Sequence, residues 1–319
     1  MPSGVPKRAF FPRAQPAPAR PVHPLLARVG STPLVELHRL TRGAGRRVFV
    51  KLEGENPGGS VKDRAARAII ERAFLEGRLP AKRLLDASSG NTGIAYAMFG
   101  AALGFGVTIC LPESASPERR KILRAHGAEV VETDPLEGSD GAIRKARELA
   151  TERPDAYYYA DQYSNPSNPS AHERTTGPEI LRQLEGLSLD LFAAGLGTSG
   201  TFVGTARFLR RRSPATRLLA VQPDASFHGI EGLKHMASAI VPRIWEPSLA
   251  DVHAGVSTEE AQEMTRRLAR EEGILAGVSS GAALAAALLV GRELGARTIA
   301  VIFPDRGDRY LSERFWSQE

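Results

Sequence analysis

The sequence predicts an α/β protein whose mainly parallel, twisted sheets are covered by helices on both faces. Apolar runs rich in Val, Ile and Leu alternate with longer runs of helical spacing, and Gly- and Ser-rich turns fall where the strands end. The chain has 319 residues, 42% hydrophobic and 24% charged. That is the balance of a soluble globular protein with one large domain or two modest ones. No apolar run reaches the roughly 18 residues of a membrane-crossing helix, so a transmembrane protein is excluded.

Residues 1–24 read as an extension outside the fold. They hold seven prolines, four Lys/Arg and no acid, and proline, with fixed φ and no N–H, favours extended chain over helix. No stretch there matches the roughly 7–15 apolar residues of a secretory signal. With a single cysteine, Cys110, this points to the cytoplasm. Cys110 lies in an apolar run and reads as core, and no Cys/His cluster offers a metal site.

Beyond residue 24 the pattern predicts strands at 47–52, 83–87, 106–111, 128–132, 189–195, 217–221 and 297–302. Helices are expected at 61–77, 92–103, 117–126, 139–151, 201–211, 257–271 and 282–293. The helix at 117–126 is fully punctuated, with Ser116 as cap, Pro117 at its first position and Gly127 just past its end. Repeated strand–helix–strand units give parallel pairing. Such sheets bind ligands at the carboxyl ends of their strands.

Lys+Arg number 42 and Asp+Glu 36, a net charge of +6. An anionic small ligand or nucleic acid would suit that balance, and so would a solvated surface. Arg207 and Arg210 to Arg212 end a helix with one aromatic, Phe208, among them, which a solvated helix end explains more simply than nucleic acid.

Four loops carry the chemical signal. Gly195-Leu-Gly197-Thr-Ser-Gly200 fits G-x-G-x-x-G, and Asp224 follows the next strand. Glycines let backbone approach a phosphate, and a helix N-terminus adds free N–H groups and positive potential. Thr198, Ser199 and Thr201 add hydroxyls that suit a compact terminal phosphate better than a dinucleotide. A ligand-free strand–helix turn would use the same glycines. In Asn56-Pro-Gly-Gly-Ser-Val-Lys62-Asp-Arg64, Ser60 is a natural cap. Lys62 then stands in the first helical turn, where the dipole disfavours a cation and lowers its pKa, as a nucleophilic amine needs. Ser88-Ser89-Gly90-Asn91-Thr92-Gly93 offers a carboxylate or oxyanion cradle, or merely an ornate cap. Gly277-Val-Ser279-Ser280-Gly281 alone reads as a capped helix entry.

Taken together, GSVKDR at 59–64, SSGNTG at 88–93, GLGTSGT at 195–201 and GVSSGAA at 277–283 resemble the pyridoxal-phosphate enzymes of the cysteine synthase family, fold type II. The resemblance runs from Gly30-Ser-Thr-Pro-Leu34 through Asp305-Arg-Gly-Asp-Arg-Tyr-Leu-Ser312. Asp161-Gln162, Asn165-Pro166, Thr175-Thr-Gly-Pro-Glu179 and the DRGDRYLS ending look most like the cysteine synthase B branch. Two positions depart from the family pattern: Ser88 is usually threonine, and Ser199 replaces glycine or threonine. Both keep or add a hydroxyl.

The resemblance implies pyridoxal 5′-phosphate as cofactor, bound in the cleft between two three-layer αβα domains. The smaller would span 56–163 and the larger 25–55 plus 164–319. Lys62 would form the Schiff base and then act as base. Gly197, Thr198, Ser199, Gly200 and Thr201 would hold the phosphate, Asn91 the ring hydroxyl oxygen, and Ser279 would face the pyridine nitrogen. A neutral hydroxyl does not keep that nitrogen protonated, which suits β-elimination. Ser88, Ser89, Thr92 and Gln162 would bind the amino acid's carboxylate. Lys234, where relatives often carry arginine, would face the leaving group or sulfur donor and so favour phosphoserine or thiosulfate, or else be a solvated loop residue. Lysine is the poorer bidentate phosphate ligand.

The implied reaction is β-replacement on O-acetylserine or O-phosphoserine by sulfide, thiosulfate or carrier-bound sulfur, through an aminoacrylate, to L-cysteine or S-sulfocysteine. A homodimer and a sulfur-carrier partner come from the resemblance alone; neither nucleic acid nor membrane is expected. Serine/threonine dehydratase and cystathionine β-synthase-like chemistry would use the same loops. An NAD-dependent oxidoreductase would leave Lys62 and the SGNTG loop without a role.

Overall fold

The computed structural model describes residues 23–88 and 90–317; the extension up to residue 22 and Ser89 lie outside the described residues. In chain order the elements are α1 (Pro24–Ala27), β1 (Leu34–Leu37), β2 (Arg47–Leu52), α2 (Lys62–Leu75), β3 (Arg83–Ala87), α3 (Asn91–Leu103), β4 (Val107–Pro112), α4 (Pro117–Ala125), β5 (Glu129–Thr133), α5 (Gly138–Glu152), β6 (Tyr157–Tyr159), α6 (Ser167–Arg174), α7 (Thr176–Gln183), β7 (Leu191–Gly195), α8 (Gly200–Arg212), β8 (Arg217–Pro223), β9 (Val252–Val256), α9 (Thr258–Arg267), α10 (Val278–Glu293) and β10 (Thr298–Phe303).

The strands form two sheets. One has six strands in the order β1-β2-β10-β7-β8-β9, the other four in the order β5-β4-β3-β6. Every pairing is parallel except β1 with β2, as crossover connections require. Each sheet buries both faces. On the larger, α10 packs Ala282, Leu284 and Ala287 against Val48, Leu191 and Val301, while α8 packs Phe202 and Val203 on the other side. On the smaller, Ile69 of α2 and Ile94 of α3 cover one face, and Ile143 of α5 covers the other beside Cys110. This is the fold type II architecture, two αβα layers of three with a cleft between them.

The expected strands and helices all form, with ends shifted by a few residues. Three strands carried no apolar run. β1 is an edge strand holding Glu36, β6 is three tyrosines, and β9 buries only Val256, with His253 and Gly255 exposed. α6 and α7 are not among the expected helices: α6 is seated by close approach through Ala171 and buried His172 with no apolar stripe, and α7 is a short helix whose one stripe, Ile180 and Leu184, follows Gly177 and Pro178. The fold also begins earlier than residue 25. Pro24 opens α1, His23 Nδ1 accepts the Leu25 N–H at 3.1 Å, and Leu26 is buried.

Three of the four arginines at the end of α8 pair within the fold: Arg207 with Glu246, Arg210 with Asp251 at 2.7 Å and Arg211 with Glu173 at 2.5 Å. They offer no free phosphate-binding stripe. Asp224 is exposed at the end of β8, outside the cleft lining. Among the described residues no helix is long and apolar enough to cross a membrane.

Candidate active site

The carboxyl ends of β3, β7 and β10 and the start of α2 meet in a cleft of about 510 Å³. From the four-stranded side it gathers Lys62, Ser88, Asn91, Thr92 and Gln162; from the six-stranded side Gly197, Thr198, Ser199, Thr201, Lys234 and Ser279. Gly200 sits directly behind, as the first residue of α8.

Lys62 is the first residue of α2. The capping differs from expectation: Val61 is the cap residue, and Ser60 contributes by accepting the Lys62 N–H at 3.3 Å. The reason is that Ser60 is pulled into a bridge with Asp305 while Val61 N–H bonds Pro304 O at 2.8 Å. The Lys62 amine is held below the ordinary lysine range. Burial is the main cause, and the carboxylates of Asp305 and Glu53 oppose it. Next to it, Asp63 accepts the Gly58 N–H at 2.5 Å, and burial pushes its carboxyl up to about 7.

The 197–201 loop is packed through its glycines. A Cβ on Gly197 would strike the Gly232 carbonyl, and one on Gly200 would overlap the Asn168 amide. Ser199 takes a left-handed turn at φ 70°. Behind the loop, Asn168 Nδ2 donates to Thr198 Oγ1 at 3.1 Å, and His172 Nε2 lies 3.4 Å from Thr201 Oγ1. Burial and the charges of Arg64 and Lys62 push His172 down to about 3, so the imidazole is neutral. Ser199 Oγ is buried with no hydrogen-bond partner among the described residues. A buried orphan hydroxyl beside the N–H groups opening a helix fits the oxygens of a phosphate monoester.

On the opposite side, Ser88 Oγ accepts the N–H groups of Gly90 and Gly93, both at 3.0 Å, closing the turn into α3. Thr92 Oγ1 donates to Gln162 Oε1 at 2.7 Å, and Gln162 Nε2 donates to Ala87 O at 2.6 Å. Buried Asp86 accepts the Gln162 N–H at 3.2 Å, and burial pushes its carboxyl up to about 8. Ser279 is buried in the first turn of α10.

Asn91 is fixed at both ends of its amide. Its Nδ2 donates to Asp305 Oδ2 at 2.6 Å, and its Oδ1 accepts from Arg309 at 2.5 Å. Tyr310 OH donates to the same Asp305 oxygen at 2.6 Å and accepts from Arg119, which also pairs with Glu231. Lys234 is no solvated loop residue. It is 5% exposed, pairs with Asp140 of α5 at 2.6 Å, and sits 5.2 Å from the Tyr163 ring centre. Sequence reasoning did not single out Asp305, Arg309, Arg119, Asp140, Asn168 or His172. The DRGDRYLS ending was the one available pointer to the first two.

A lysine of lowered pKa, an anion-holding helix start and an amide-rich loop in one cleft fit pyridoxal 5′-phosphate, and the comparisons agree. The pyridoxal-phosphate dependent enzyme family model matches residues 25–305. The chain belongs to this family. Among curated relatives it is similar to the cysteine synthase of Staphylococcus aureus, 42% identical over 306 residues covering 93% of this chain and 98% of that one. It is also similar to the cysteine synthase B of Pseudomonas aeruginosa, 42% identical over 285 residues covering 89% of this chain and 94% of that one. Among solved structures it superposes on an O-ureido-L-serine synthase with a TM-score of 0.86 at 38% identity, covering 93% and 96% of the two chains.

Proposed function

We propose that this protein replaces the β-substituent of an activated serine, O-acetylserine or O-phosphoserine, with a sulfur nucleophile to form L-cysteine or a close relative. The observation that carries it is the convergence of Lys62 with two different anion cradles, 197–201 and 88–93 with Gln162, on one cleft. The bound cofactor supplies a carbonyl for an amine and a ring that draws electrons from the substrate's α-carbon.

The rest is the work of the protein. Burial lowers the pKa of Lys62, which favours the neutral Nζ that can bond that carbonyl and, once freed, take the α-proton. Gly197, Thr198, Ser199, Gly200 and Thr201 would hold the phosphate through N–H and hydroxyl donors. Asn91 would give its remaining N–H to the ring oxygen. Ser279 would face the pyridine nitrogen with a neutral hydroxyl. Ser88, Thr92 and Gln162 bind the substrate carboxylate, with Ser89 in the same loop.

Carboxylate bound at 88–92 draws the unit of residues 56–163 toward 25–55 plus 164–319, which excludes water from the reacting carbon. The same reading includes a cytoplasmic homodimer taking a small-molecule amino acid and a sulfur donor, free or delivered by a carrier protein.

The test is an absorbance spectrum of the cofactor-loaded protein, alone and with each serine. A visible band absent in Lys62→Ala, bleached or shifted by an activated serine, with cysteine formed once sulfide is added, is expected. A coloured protein unmoved by either serine supports the dehydratase alternative instead.

A further inference from the structure

Besides Lys62 the cleft lining carries two basic side chains, Arg119 from α4 and Lys234 from the segment after β8, and a cation lining a concave site ordinarily attracts an anionic substrate group. Neither is uncompensated here. Arg119 pairs with Glu231 and donates to Tyr310 OH. Lys234 Nζ donates to Asp140 Oδ1 at 2.6 Å, and its ammonium also faces the Tyr163 ring.

Asp140 is itself held fast. Its other oxygen accepts the Ile240 N–H at 2.7 Å, and it stands in the first turn of α5, where the dipole favours a carboxylate. Glu137 and Asp305 add two more carboxylates to the same lining. Of the two histidines there, burial pushes His228 below its ordinary range, so it adds no charge at neutral pH; His235 Nδ1 is engaged with Ser238 Oγ at 2.8 Å.

We infer that Asp140 is a specificity-determining residue: by neutralising Lys234 it restricts this cleft to serines whose β-substituent is an uncharged acyl ester and rejects the phosphate ester. The inference rests on the β-replacement reading and reverses the preference that Lys234 by its sequence position implies. In the replacement the Cβ–O bond breaks with its electron pair on oxygen, sulfide forms the new S–Cβ bond, and Lys62 takes the α-proton and returns it. An acyl ester enters with no charge on that oxygen and leaves as a monoanionic carboxylate. A phosphate ester brings two negative charges before any bond breaks. They meet a lining already rich in carboxylates, or must displace Asp140 from Lys234 and leave its charge unpaired in the cleft.

The measurement is kcat/KM of the cofactor-loaded full chain for O-acetylserine and for O-phosphoserine, with sulfide as donor. The wild type is expected to prefer O-acetylserine by on the order of 100-fold, since an unpaired like charge in a closed site costs several kcal/mol. Asp140→Asn, close in shape but uncharged, narrows that ratio at least about tenfold by raising the O-phosphoserine value, and adding Lys234→Gln cancels the gain. A residue that merely supports the fold would lower both values together.

A wild type that uses the two serines equally well overturns the inference without need of any variant. So does an Asp140→Asn enzyme with normal colour and an unmoved ratio. A coloured wild type whose spectrum answers neither serine overturns the β-replacement reading, and the inference with it.

Discussion

On the six-stranded side of the cleft the 197–201 loop packs through its backbone; the wall facing it is held by charged and amide side chains of the four-stranded side paired with residues of the six-stranded side. Gly197 and Gly200 let the 197–201 loop press against Gly232 and Asn168 with no space for a Cβ. Across the cleft, Asn91 is held by Asp305 and Arg309, Arg119 by Glu231 and Tyr310, and Asp140 by Lys234. Steric packing has no alternative partner, so the first wall suits a permanently held phosphate. Hydrogen-bonded pairs can exchange partners, so the second suits substrates that come and go.

The largest expected effect comes from the residue between the walls. In the proposed reaction Lys62 is both the amine that bonds the cofactor and the base for the α-proton, so Lys62→Ala is expected to lower turnover by at least about a thousandfold. Far-ultraviolet circular dichroism stays unchanged, because Lys62 caps no side chain and only its backbone N–H engages Ser60. Cysteine formation within tenfold of wild type would break the assignment of the cleft's centre.

The walls answer pH in opposite directions. His172, behind the phosphate loop, is held at about 3 against an ordinary 6.5. Its folded pKa is lowered, so its stabilising share is present above 6.5 and is lost as pH falls toward 3. Asp86, behind Gln162, is held at about 8 against an ordinary 3.8. Its folded pKa is raised, so its share is full below 3.8 and is lost as pH rises toward 8. The two windows overlap and oppose each other below pH 6.5, and Asp86 acts alone between 6.5 and 8, so in melting curves across pH 4–9 Asp86→Asn is expected to flatten the fall between pH 6.5 and 8, and His172→Gln to change the slope only below 6.5. Identical profiles for the two variants would erase the distinction between the walls.

Gly200→Ala tests the packed wall directly. The added methyl overlaps the Asn168 amide, and overpacking of this kind costs about 1–3 kcal/mol. Because Asn168 also holds Thr198, cofactor affinity falls along with the melting temperature. Equilibrium titration with pyridoxal phosphate measures that loss; unchanged affinity shows that the loop tolerates a Cβ.

The same contrast explains what the sequence revealed. The phosphate loop, the Lys62 turn and the SGNTG turn are local signals: glycines and hydroxyls between a strand and a helix mark a close backbone approach wherever they occur. The pairs of the opposite wall join residues far apart, 94 positions for Lys234 and Asp140, 191 for Arg119 and Tyr310, 214 for Asn91 and Asp305. Nothing local in α5 or in the 228–234 segment announces its partner. Lys234 illustrates the consequence: its position pointed to a cation free for an anion, and only the folded chain reveals Asp140 against it. The strands β6 and β9 stayed hidden for a different reason: both are sheet edges that bury one residue each, Tyr157 and Val256, and carry no apolar run.

The smallest effect sharpens the comparison from the side-chain wall. Ser116 caps α4, its Oγ accepting the Arg119 N–H at 3.4 Å, and loss of such a cap costs about 1 kcal/mol. The cost in Ser116→Ala falls where α4 begins, and Arg119, two residues into that helix, is the cation that reaches Tyr310 and Glu231. A frayed first turn therefore loosens a cross-cleft pair while leaving the phosphate loop untouched. The expected signature is a small drop in melting temperature and a raised KM for the serine substrate, with cofactor affinity unchanged. A matching loss of cofactor affinity would mean that the two walls are one mechanical unit, and that the division between packed backbone and exchangeable side chains does not govern this cleft.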